Sequence, residues 1–159
     1  MRTIQIMVMN NPLIAWGLVF LVGMLATHYM GIEPKVAWVV WLVIFFVGNM
    51  LVGKAMKKTP RNIVHMWMVV NILGALMTLA FLAGTLPFNA THIMAVWLVL
   101  MGAAVYAGAH ENKDPEGVFI GLLWFATGII LPLWLPATPF LIGGLVLGLP
   151  YVVGGLLKK

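Results

Sequence analysis

Three prolines, Pro34, Pro87 and Pro139, fall 53 and then 52 residues apart, each between two long apolar runs. A glycine follows each of them 14 or 15 residues later, at Gly48, Gly102 and Gly154. The pattern divides the chain into three units of about 53 residues, each a pair of apolar segments joined at a proline turn. Hydrophobic residues make up 63% of the 159 and charged residues only 8%. A water-soluble domain carries roughly 25% charge, so the chain is expected to be an integral membrane protein. At this length it forms one membrane domain, residues 1–159, with most of its mass in lipid.

Six runs read as spans: 13–30, 36–56, 64–83, 92–109, 118–134 and 140–157. About 20 residues cover a bilayer, and roughly 17 is the lower limit. The last three runs sit near that limit, crossing with little tilt or thinning the bilayer locally. Pro150 in the sixth run cannot donate to the Val146 carbonyl, which predicts a kink. Residues 1–12 hold one Arg and no small-residue cleavage pattern, so the first run is expected to act as an uncleaved signal-anchor.

An even number of spans puts both termini on one side. That side carries Arg2, Lys54, Lys57, Lys58, Arg61, Lys113, Lys158 and Lys159, leaving Lys35 alone opposite. The positive-inside rule makes it cytoplasmic, in a cell (plasma or inner) membrane. The proline turns at 31–35, 84–91 and 135–139 are then external and short, as antiparallel helix pairs need. The expected architecture is all-α and polytopic: six transmembrane helices in three tandem antiparallel hairpins, about 12–56, 64–109 and 117–157, with both termini cytoplasmic. An inverted three-plus-three arrangement, as in many transporters, has the weaker internal match. Small residues spaced i, i+4 offer surfaces for close helix packing: Gly117 with Gly121, Ala104 with Gly108, and Gly144 with Gly148.

Function classes fall away by elimination. The net charge of +5 suggests nucleic acid, but the basic residues are confined to loops and ends and form no patch. The absence of cysteine removes disulfides and thiolate metal sites. Ionisable groups at depth mark transporters and proton relays, yet Glu33, Glu111, Asp114 and Glu116 all lie in loops. There is no serine, and no aspartate pair, for an intramembrane protease. No catalytic constellation is recognisable, and the chain reads as a non-enzyme.

The polar residues left in the spans are Asn49, Asn71, Thr78, Thr127 and the histidines. Asn49 and Asn71 lie eleven residues either side of Pro60, at similar depth in consecutive antiparallel spans. A structural Asn–Asn hydrogen bond is expected there, with a substrate-lining role as the sharper alternative. His28 and Met30 close the first span, and His92 and Met94 open the fourth, both at the external face. Imidazole and thioether suit Cu(I), so these four residues define a candidate copper site. The plainer reading is that histidine suits interfaces and methionine fills apolar gaps.

A di-haem arrangement is also conceivable, because His92 and His110 lie about five turns apart on one face, with His28 and His65 as partners. That spacing is about 27 Å, which would leave both haems poorly shielded at the membrane edges. Trp16, Trp67, Trp38 and Trp134 read as interfacial anchors. Trp41, Trp97 and Trp124 lie deeper, as packing or contact residues.

Pro136-Ala137-Thr138-Pro139 leads into a Gly-rich last helix, and glycines recur at 48, 102 and 154. This pattern, over the whole chain, resembles the HdeD-like family of small membrane proteins, some of them tied to acid resistance. The resemblance implies a compact six-helix bundle and supplies no catalytic residues. The chain departs from it in lacking acidic residues near the ends of the even-numbered helices.

The leading expectation is a non-catalytic membrane protein, an accessory or scaffold subunit or a stress-related component. It would pack with itself as a homo-oligomer, or with larger membrane partners, through its small-residue faces. A copper- or haem-binding redox subunit is the alternative. A permease for an uncharged small molecule is the third, with Asn49 and Asn71 facing the path.

Overall fold

The computed structural model describes residues 12–55, 61–134 and 137–157, with the side chains at 12–13, 49, 51–55, 61–63 and 157 left out. These residues form six helices. They are α1 (Pro12–Tyr29), α2 (Pro34–Ala55), α3 (Arg61–Leu82), α4 (Ala90–Glu111), α5 (Pro115–Trp134) and α6. The last runs through Pro139–Gly143, a π-helical turn over Gly144–Gly148, and Leu149–Leu157. Helix is what lipid demands of such runs, because every N–H and C=O must be satisfied inside the segment.

Local chemistry sets the helix ends. Proline opens α1, α2, α5 and α6, where its fixed φ suits the first turn and its missing N–H costs nothing. The Glu33 carboxylate accepts from the Lys35 and Val36 N–H groups at 3.2 and 3.1 Å, holding the first turn of α2. Asp114 does the same for α5, its Oδ1 accepting from the Gly117 N–H at 3.1 Å. Asn89 and His92 form a capping box at the start of α4. Gly84, at φ +70°, ends α3: its N–H reaches the Phe81 carbonyl and the Thr85 N–H the Ala80 carbonyl, a Schellman turn that favours glycine. Lys113 occupies the equivalent left-handed position after α4, at φ +54°, with the Asp114 N–H bonded to the Ala109 carbonyl.

Among the described residues, four helices are long and apolar enough to cross a membrane: Val64–Leu82, Ala90–Glu111, Pro115–Trp134 and Pro139–Leu156. The chain is a polytopic membrane protein. The expectation of six spans in three tandem antiparallel hairpins with both termini cytoplasmic is corrected here. Among the described residues, the apolar stretches Ile14–Tyr29 and Pro34–Gly48 fall in the 10–17-residue class, short of the roughly 17 residues that mark the lower limit for crossing. The first is stopped at Tyr29, where the chain turns through Gly31 at φ +60°.

The helices also group differently from the expected hairpins. Two compact units form, one holding α1 and α6, the other α2 to α5. The fifth and sixth helices, expected to pair, belong to different units. Within the larger unit the most extensive contact is α4 on α5. There the helix backbones meet at glycines. A Cβ on Gly102 would stand 2.5 Å from the Phe125 nitrogen, one on Gly128 would stand 2.8 Å from the Ala95 carbonyl oxygen, and one on Gly121 would strike the backbone of Tyr106. Gly117 meets Ala109 at the foot of the same pair. Gly117 and Gly121 thus pack as expected, while Gly108 lies more loosely, since a Cβ there would stand 3.5 Å from the Met66 methyl.

In the smaller unit, a Cβ on Gly17 of α1 would stand 2.7 Å from the Val152 nitrogen, and one on Gly148 of α6 would stand 2.6 Å from the Leu21 side chain. Phe20 stacks between Trp16 and Tyr151, with ring centroids 5.5 and 6.0 Å away. The disruption expected at Pro150 takes the form of the π turn just before it. Its ring crowds the Val146 carbonyl and offers it no N–H, and widening the preceding turn by one residue accommodates both defects.

The glycines of the repeat are not equivalent. Gly102 is locked against α5, whereas a Cβ on Gly154 would have nothing within 4 Å. Trp38, expected as an interfacial anchor with Trp134, is instead 1% exposed, while Trp134 is 79% exposed.

Two outcomes follow from the α4–α5 hairpin. Gly121→Val should destabilise the protein by about 1–3 kcal/mol through overpacking against the Tyr106 backbone, seen as a lower unfolding midpoint in detergent. Lys113→Gly should raise that midpoint, because relieving a left-handed non-glycine residue is worth roughly 1 kcal/mol.

Candidate functional site

Within the apolar helices, hydroxyl and amide groups turn first to their own helices. The Thr27 hydroxyl donates to the Gly23 carbonyl at 2.8 Å, Thr78 to Gly74 at 2.8 Å and Thr127 to Leu123 at 2.7 Å. The Asn71 amide donates to the Trp67 carbonyl at 2.7 Å. Each bond reaches back one turn, the shortest way to satisfy a polar side chain where water is absent. The expected Asn71 partner, the Asn49 side chain, lies outside the described residues.

A buried polar contact joins α3 and α4. The Trp97 indole N–H of α4 donates to the Thr78 hydroxyl of α3 at 3.0 Å, while that hydroxyl donates onward to Gly74. Thr78 is fully buried and Trp97 is 3% exposed. Gly74 leaves room for the indole, since a Cβ there would stand 2.6 Å from the ring. On α2, Phe45 stacks on Trp97 with centroids 4.6 Å apart and planes 7° from parallel. Trp41 adds a tilted ring contact to Phe45 at 6.0 Å. A single tryptophan therefore ties α2, α3 and α4 together. The sequence carried a usable signal for it: Gly74 and Thr78 are spaced i, i+4, the small-residue pattern that admits a large neighbour.

The candidate copper ligands are distributed as follows. His28 and Met30 lie at the end of α1 in the smaller unit, with His28 edge-on to Tyr29 at 5.1 Å and Met30 exposed. His92 and Met94 belong to α4 in the larger unit. Two helix positions place them about 200° apart around the axis, and they diverge accordingly: Met94 is fully buried, His92 only half-buried. The His92 ring already has a structural task. Its Nδ1 lies 2.8 Å from Asn89 Oδ1 and 3.3 Å from the Asn89 N–H, and the ring stacks on Phe88 at 5.4 Å. Nε2 is the nitrogen that would be left for a ligand. His65 is exposed, and so is His110, which stacks on Tyr106 at 5.9 Å. Among the described residues, no three His, Asp or Glu side chains gather where they could hold a metal ion.

Beside His92 an open groove of about 280 Å³ runs along one face of α4, lined by Phe88, His92, Ala95, Val96, Val99 and Leu100. Its wall is apolar apart from the imidazole at one end. Such a surface suits hydrocarbon and offers no second polar group to orient a reacting molecule.

Thr78→Val should cost about 1–2 kcal/mol, the worth of a polar contact between membrane helices. A thermal melt in detergent, with tryptophan emission to report the change around the indole, would check it. Asn89→Ala should cost about 1 kcal/mol through loss of the α4 cap, and the same melt would read it.

No known protein family, curated protein or solved structure matches the chain. The likeness to the HdeD-like family therefore extends to a six-helix, partly membrane-spanning fold, and nothing ties the chain to that family in particular.

Proposed function

We propose that this protein is a non-catalytic component of a cell membrane, an accessory or scaffold subunit that works by packing against other membrane proteins or copies of itself. The observation that carries this reading is the use made of its polar groups. The hydroxyls of Thr27, Thr78 and Thr127 and the amide of Asn71 bond to their own helices. Glu33, Asp114 and Asn89 cap helices. These groups are committed to holding helices in place, while broad apolar sides remain outside. On α2, Val36, Val39, Val40, Val43, Phe46 and Val47 are exposed, opposite the buried Ala37, Trp38, Trp41 and Phe45.

Of the small-residue pairs expected to drive association, Gly117 with Gly121 is taken up inside the larger unit and Gly144 with Gly148 inside the smaller. Association would then use the larger apolar side chains, with van der Waals packing as its source of energy. The basic run Lys54, Lys57, Lys58 and Arg61 supports a cytoplasmic position for the connection between α2 and α3.

Native mass spectrometry of the protein extracted gently from its own membrane, with chemical cross-linking beforehand, tests the reading. Stoichiometric membrane-protein partners or a defined homo-oligomer are expected. A strict monomer without cross-linked neighbours would overturn it.

A further inference from the structure

We draw no further inference here: the strongest candidate, the open apolar groove along α4 between Phe88, His92 and Leu100, is an unpartnered apolar surface, and nothing in the structure shows what covers it.

Discussion

The backbone-to-backbone approach of α4 and α5 is the contact on which the larger unit depends. In lipid, apolar side chains gain little by leaving one hydrocarbon environment for another, so helices associate through close packing and the few hydrogen bonds they can share. Gly102, Gly121 and Gly128 supply that closeness, each removing the side chain that would hold the partner away. The turn between the helices is built to match. Asn112 donates to the Gly108 carbonyl at 2.6 Å, Asp114 caps α5, and Lys113 accepts a left-handed conformation to reverse the chain. The smaller unit repeats the solution between remote segments, with Gly17 of α1 and Gly148 of α6 each set against the other helix.

Upon this frame the aromatic residues set the remaining contacts. Trp97 uses three properties of one side chain: its face stacks on Phe45, its edge fills the space left by Gly74, and its N–H meets Thr78. An indole suits this place because its single donor is satisfied by a hydroxyl already anchored to its own helix. The rest of its surface is apolar and large. Trp38, Trp41 and Trp124 are also buried, so tryptophan serves mainly as core among the described residues, with Trp134 the exposed exception.

Much of the helical framework was legible in the residues. Pro34, Pro115 and Pro139 open helices, and the described parts of the apolar runs between them are helical almost to their ends. Gly117 with Gly121, and Gly144 with Gly148, were readable as close-packing positions, and both pairs meet a neighbouring helix. The proline period was less informative than it looked, because equal spacing does not make Gly102 and Gly154 equivalent: one abuts a backbone and the other faces open space. At the candidate site, His92 was visible as an interfacial histidine, but its union with Asn89 in a capping box was not drawn from the spacing. Met94 was grouped with it by proximity in sequence, although two residues along a helix place a side chain almost on the opposite side.

By itself, the sequence determined that the chain enters a membrane and, to within about three residues, where its described helices begin and end. Those properties depend on local composition and on Pro, Gly, Asn and Asp acting within a few residues. Only the tertiary structure decided that α1 packs with α6 and α4 with α5, and that Trp97 meets Thr78 in a buried contact between α3 and α4. These outcomes turn on shape fit between segments far apart in the chain. Every apolar face offers nearly the same hydrophobicity, so hydropathy cannot choose among them, and the position of a glycine opposite a particular backbone can.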